Sequence, residues 1–306
     1  MRRTRATLTN RRARSGPIRR ILRRLRDDVR VAGALTHAGV AVGSILLYPV
    51  RRRVGERRSQ LDLRTGVRIV APPDEPLLFL FREIWIDLSY AKGVGPLREG
   101  DVVVDIGAHV GLFTLWILSR EPGARVVAVE PSSRTMRYLE RNVGLNAARR
   151  VTVIQAACGR SSGFAPLFRR RSDMTASLYA DRVAGGSVES VEVITLDEVF
   201  ARGGVERCAL LKLDCEGAEY EILLGAPVAT LRCAERIVLE YHDGAGGHTP
   251  VELVSSLEGA GFDVSLQPGT DGVHGLLCAT RQPIATVVGA AAVLSRDVDG
   301  RMWDEV

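Results

Sequence analysis

The chain has 306 residues, is 46% hydrophobic and 25% charged, and carries a net charge of +6. The charge is uneven: residues 1–60 hold 17 Arg against three acidic residues, or +14, while the remainder holds 25 basic and 33 acidic residues, or −8. A mildly acidic body argues against a nucleic-acid groove, and five scattered cysteines without a CxxC pair or a secretory pattern point to reduced thiols in a cytoplasmic setting.

Residues 1–60 read as an Arg-rich extension whose first half lacks an apolar face. Its apolar stretch, VAGALTHAGVAVGSILLYPV at 31–50, has Arg at both ends and is diluted by three Gly, a His and a Thr. A helix covering the domain, a helix lying on anionic lipid and a membrane span are its three readings. The extension is thus a candidate for weak contact with a membrane surface.

LDLRTGVRIV, 61–70, alternates around Thr65-Gly66 and predicts a β-hairpin ended by prolines. LLFLFREIWIDLSYAKG, 77–93, has helical apolar spacing. From residue 101 strands and helices alternate: DVVVDIG then GLFTLWILSR, ARVVAVE then SRTMRYLERNVGLN, and VTVIQAAC as a third strand. FAPLFRR and SVEVITL predict strands of an insertion. LDEVFAR, CALLKLD, EYEILLG, RIVLEYH and PVELVSSLEGAG continue the alternation, and FDVSL and GVHGLLCATR close it without a helix between them. The fold class is therefore α/β: a Rossmann-like, mostly parallel seven-stranded sheet with its last strand antiparallel and helices on both faces. Residues 61–282 form the domain, and 283–306 a C-terminal tail.

Ligands bind such sheets at the carboxyl ends of the strands. VVVDIGAHVG places Asp105, Gly107, His109 and Gly111 there. An acid stands where a dinucleotide loop has its first glycine. A carboxylate repels a pyrophosphate but suits an ammonium or a sulfonium, which favours S-adenosylmethionine over NAD. Gly107 allows a tight turn and close approach of a ligand, and Gly111 lets the next helix start near the strand. VAVEP ends the second strand in Glu130, positioned for the two ribose hydroxyls of an adenosine. QAACG ends the third, with Ala157 and Cys158 bordering the adenine. LLKLDCEGAEYEIL puts Lys212 and Asp214 on one face of a strand buried on both sides, with Asp214 or Glu216 as the partner that the buried lysine needs.

Taken in order, FREIWIDLSY, VVVDIGAHVG, VAVEP, RNVGLN, ITLDEV, LLKLDCEGAE and IVLEYH resemble the blocks of FkbM-type S-adenosylmethionine-dependent methyltransferases across about 79–267. His109 departs from the family's Asn. The resemblance implies O-methylation of a hydroxyl on a sugar, polyketide or other small molecule. It makes Asp105, Gly107, His109, Gly111, Glu130, Ala157, Cys158 and Asp214 candidate cofactor contacts. Asp214, Glu240 and His242 are three candidates for the base that takes the hydroxyl proton. His242 has the most suitable unperturbed pKa. No set of side chains fixes a metal. The alternative is a non-catalytic membrane- or partner-binding protein on the same fold.

Overall fold

The computed structural model describes residues 59–282, apart from 147, 170–171, 173, 180–185 and 270–271. The Arg-rich extension up to residue 58 and the tail from 283 lie outside the described residues, and with them the three readings of residues 31–50. The predicted hairpin is present. Strands β1 (Ser59–Asp62) and β2 (Arg68–Ala71) pair antiparallel, and the turn closes through Gly66 at φ 90°.

The predicted helix over 77–93 is instead broken in three. α1 (Leu77–Phe81) runs into a π turn, Arg82–Ile86, whose widened register is closed by the Asp87 N–H to the Arg82 carbonyl at 2.8 Å. Leu88 then takes a left-handed φ of 54°, and α2 (Ala91–Val94) follows. Apolar spacing alone does not reveal such a break, because apolar residues still recur at helical spacing through it, Leu80, Ile84 and Leu88 among them.

The seven-stranded sheet comprises β3 (Val102–Ile106), β4 (Arg125–Val129), β5 (Val151–Ile154), β9 (Leu210–Leu213), β10 (Arg236–His242), β11 (Phe262–Pro268) and β12 (His274–Arg281). Their order is β11-β12-β10-β9-β3-β4-β5. The five from β10 to β5 are parallel neighbours, and β12 runs antiparallel to both β10 and β11. The chain steps outward from β3 to β5, then returns to β9 on the other side of β3. The reversal opens a crevice above the β3–β9 junction, where this architecture places ligands.

Alternation along the strands divides the core. Val104, Ile106, Leu211, Leu213, Ile237 and Leu239 face α5 (Leu196–Gly203), α6 (Glu219–Gly225) and α7 (Pro250–Gly259). Val103, Leu210 and Val238 face α2 and α3 (Leu112–Arg120). Leu112, Phe113, Leu115, Trp116 and Ile117 of α3 are all buried, each contributing roughly 1.5–3 kcal/mol. The ITLDEV block is a capping box: Thr195 Oγ1 accepts the Glu198 N–H at 3.3 Å, and Glu198 accepts the Thr195 N–H at 2.9 Å.

The third predicted strand, 151–158, divides. β5 ends at Ile154, and β6 (Ala157–Cys158) leaves the main sheet to pair in parallel with β8 (Ser187–Ile194). β7 (Gly163–Arg169) pairs antiparallel with β8, so the insertion forms its own three-stranded sheet over the crevice.

α4 (Ser133–Leu145) carries the RNVGLN block, and its two asparagines hold the hairpin. Fully buried Asn142 accepts the Val70 N–H at 2.8 Å and donates to the carbonyls of Val70 and Val110 at 2.9 and 2.7 Å. Asn146, one turn on, exchanges the same pair of bonds with Arg68 at 2.8 and 2.7 Å. The two amides give β2 the backbone-like partners that a sheet edge otherwise requires.

Candidate functional site

Above the β3–β9 junction lies a cavity of about 330 Å³. Its wall includes Gly107, His109, Glu130, Ala157, Cys158, Asp214, Glu240 and His242, so most of the residues singled out in the sequence converge on it. Asp105 and Gly111 are not on that wall. Asp105 is fully buried behind it, accepting a hydrogen bond from Thr114 Oγ1 at 2.7 Å and pairing with Lys212 Nζ at 3.1 Å. Register explains the pairing, since Asp105 lies opposite Lys212 in the β3–β9 ladder.

Lys212 thus has a different principal partner from those expected. Asp214 stands at 3.8 Å, farther than Asp105, while Glu216 pairs with His242. Lys212 Nζ also donates to the Gly107 carbonyl at 3.0 Å. Burial works against its charge, but Asp105 and Asp214 outweigh burial and hold its pKa above the ordinary lysine value. The lysine is a cationic pin between the ends of β3 and β9.

The glycine loop has two strict sterics. A Cβ on Gly107, at φ 74°, would lie 1.8 Å from the Asp214 carbonyl oxygen. Its bareness therefore serves the junction of two strand ends. A Cβ on Gly111, at φ 85°, would lie 2.7 Å from Leu139 Cδ1, so this glycine admits α4 against the start of α3. His109 is left-handed as well, at φ 53°. Asn and His are among the few side chains that accept this conformation readily, which accounts for an imidazole in the family's Asn position. Its ring lies with Nε2 3.6 Å from fully buried Glu75, which Arg134 also approaches at 3.7 Å.

Glu130 ends β4 with its carboxylate well supplied. Oε2 accepts the His109 N–H at 2.9 Å; Oε1 accepts the Ser132 N–H at 3.0 Å and the Thr135 hydroxyl at 2.7 Å. About one of its four acceptor positions remains, on Oε2. Burial raises its pKa against these stabilising contacts.

The opposite end of the cavity is acidic. Asp214 Oδ2 accepts the Tyr90 hydroxyl at 2.9 Å. His242 is buried between two carboxylates, with Nε2 3.3 Å from Glu216 and Nδ1 3.5 Å from Glu219. Burial opposes the imidazolium, but the two acids prevail and lift its pKa from 6.5 to about 10. At neutral pH His242 is already protonated. Glu240 behaves conversely: burial, then Asp214, raise it from 4.5 to about 8. Among the described residues, no donor hydrogen-bonds its carboxylate. Glu83, from the π turn, lines the same end and is raised to about 7, by burial first and then by Asp214. Cys158 and Cys215 border the cavity as neutral thiols, Cys158 pushed up to about 12 by burial and Cys215 well above its ordinary value.

Comparison with known proteins reads the same frame. A family model described as "Methyltransferase FkbM domain" matches residues 105–264. The chain belongs to the FkbM methyltransferase family. The AMB antimetabolite synthetase AmbE of Pseudomonas aeruginosa is 30% identical over 282 residues, covering 79% of this chain and 13% of AmbE. The methyltransferase sdnD of Sordaria araneosa is 30% identical over 221 residues, 61% of this chain and 82% of sdnD. The 31-O-demethyl-FK506 methyltransferase FkbM of Streptomyces tacrolimicus is 31% identical over 219 residues, 61% of this chain and 82% of that protein. The chain therefore spans a small part of AmbE and most of the other two.

Thr114 and Glu219, inside the matched segment, and Glu83 and Tyr90, which precede it, also build the site, and none of the four is among the candidates the sequence offers. Glu83 and Tyr90 lie in FREIWIDLSY, where polar groups inside an otherwise apolar helical pattern were the available signal. Among the described residues, no group of three or more His, Cys, Asp or Glu side chains could hold a metal, and no helix is long and apolar enough to cross a membrane.

Proposed function

We propose that this FkbM domain binds S-adenosylmethionine in the cavity and directs methylation of a hydroxyl on a small-molecule or sugar acceptor. The observation that carries the reading is one cavity with a ribose-type acid, Glu130, at one end and a carboxylate without a donor, Glu240, at the other. The donor set suits the cofactor. Glu130 Oε2 keeps an acceptor position for a ribose hydroxyl, and Gly107, Ala157 and Cys158 offer flat walls. Glu83, Glu130, Asp214, Glu216 and Glu240 suit a ligand bearing a sulfonium and an ammonium. When bound, the cofactor supplies a methyl group activated by its sulfonium. The name of the relative from Streptomyces tacrolimicus, a 31-O-demethyl-FK506 methyltransferase, supports oxygen as the methyl acceptor.

Of the three candidate bases, Glu240 fits best. His242 is already protonated at neutral pH, so it has no lone pair to offer; it orients Glu216 and Glu219 instead. Asp214 is held by Tyr90 and Lys212 and serves to anchor the wall. Glu240, raised to about 8, lies near neutrality, which balances availability of the carboxylate against its proton affinity. The test is transfer of labelled methyl from S-adenosylmethionine into a panel of hydroxylated small molecules across pH 6–9. The kcat/KM for S-adenosylmethionine, which reports the free protein, should rise with pH through about 8 as Glu240 ionises. Glu240→Gln should lower turnover by about 10²–10⁴ when measured at saturating S-adenosylmethionine. Full turnover in Glu240→Gln removes the base assignment.

A further inference from the structure

The cavity carboxylates differ in how they are held. Glu130 has three protein donors, Asp214 has Tyr90 and Lys212, and Glu216 has His242. The side-chain carboxylates of Glu83 and Glu240 have no hydrogen bond or ion pair among the described residues. They come from separate elements, the π turn after α1 and strand β10, yet line one cavity. The π turn is what delivers Glu83, since such insertions re-aim a helix side chain and gather at functional sites.

The charges around the pair are mostly negative. Glu83 feels Asp214 and Glu216 beyond β9 and Asp87 at the end of its own turn, against Lys212 of β9. Glu240 feels Asp214, Glu216 and Glu83, against His242 of its own strand. Tyr90, on the same wall, stays neutral because burial lifts its pKa well above the ordinary value. Two half-buried carboxylates in such surroundings do not both ionise freely in neutral solution.

We propose that Glu83 and Glu240 act as a pair that retains a proton while the pocket lacks a sulfonium and releases it when S-adenosylmethionine binds, so that a carboxylate base faces the acceptor only once the methyl donor is in place. The proposal rests on the methyl-donor reading above. A positive charge entering the pocket favours the ionised pair, and by linkage the ionised pair favours the positive ligand. In turnover the acceptor oxygen bonds the methyl carbon, the sulfur keeps the electron pair of the broken bond, and the hydroxyl proton passes to the pair. The neutral-sulfur product then meets a protonated pair, which matches its loss of charge. Glu83 thereby joins Glu240 as a catalytic residue.

The experiment is calorimetric titration of the full chain between pH 7 and 8, the interval spanned by the two raised values. It is run in two buffers of different ionisation enthalpy, so that protons released per ligand are counted. S-adenosylmethionine and S-adenosylhomocysteine are titrated into wild type, Glu83→Gln and Glu240→Gln. Comparing proteins with one ligand cancels the ligand's own titration. The expected result is an extra release of up to about one proton on binding S-adenosylmethionine to wild type, reduced in each variant. With S-adenosylhomocysteine the three proteins should agree. Equal proton counts for S-adenosylmethionine in all three proteins overturn the pair while leaving the methyl-donor reading intact. If neither ligand binds wild type, that reading falls and takes the pair with it.

Discussion

His242 shows how neighbours redirect a side chain whose intrinsic chemistry points elsewhere. In the sequence it is an imidazole at a strand end, with an unperturbed pKa suited to a base. In the fold it is pressed between Glu216 and Glu219, which arrive from the turn after β9 and the start of α6. Nothing in the spacing of EGAE to YH announces that contact, because it depends on the register of two strands. The folded pKa of about 10 lies above the unfolded 6.5, so the stabilisation is fully present below pH 6.5 and is lost as pH rises through 10. His242→Gln should therefore destabilise the fold by about 3 kcal/mol below pH 6.5, where it leaves two acids without their cation. The gap from wild type should narrow as pH approaches 10. Denaturant unfolding at several pH values measures it, and a gap independent of pH would refute the charged-histidine account.

At the scale of elements, two contacts set the architecture of the site. The first is the close approach of the β3 and β9 ends at Gly107. The loop's glycine was legible as a turn, but its actual neighbour, the Asp214 carbonyl, was not, since strand order becomes known only when the sheet is assembled. Gly107→Ala should cost about 2–4 kcal/mol, from overpacking against backbone and from a left-handed φ that alanine resists. An unchanged denaturation midpoint in Gly107→Ala would mean that the two strand ends do not meet there. The second contact is the amide clamp from α4 to the hairpin. Asn142→Ala leaves the Val70 N–H and two carbonyls without partners, at a cost of about 2–3 kcal/mol. Proteolysis at the exposed Arg64–Gly66 turn should accelerate in that variant; unaltered cleavage and stability would show that the hairpin is held by its apolar side alone. Strand–helix alternation was readable because buried strands and amphipathic helices leave distinct periods. The broken helix at 77–94 was not, because a π turn and a left-handed Leu88 leave the apolar spacing almost unchanged.

At the scale of the molecule, the return of the chain to β9 brings distant segments onto one cavity. Residues from the π turn near 83 to β10 near 242 share a wall that no single stretch of sequence contains. The central claim is that this wall holds S-adenosylmethionine with Glu130 against the ribose. Glu130→Gln is the most direct probe, because it keeps side-chain shape and one acceptor oxygen while placing an amide donor among groups that also donate. The measurement is the affinity of S-adenosylmethionine for wild type and for Glu130→Gln, with circular dichroism confirming that both are folded and NADH as a second ligand. The account predicts saturable binding of S-adenosylmethionine to wild type, no binding of NADH, and a loss of about 1.5–3 kcal/mol in Glu130→Gln. Equal affinity of the folded variant and wild type, or tighter binding of NADH than of S-adenosylmethionine, would contradict it.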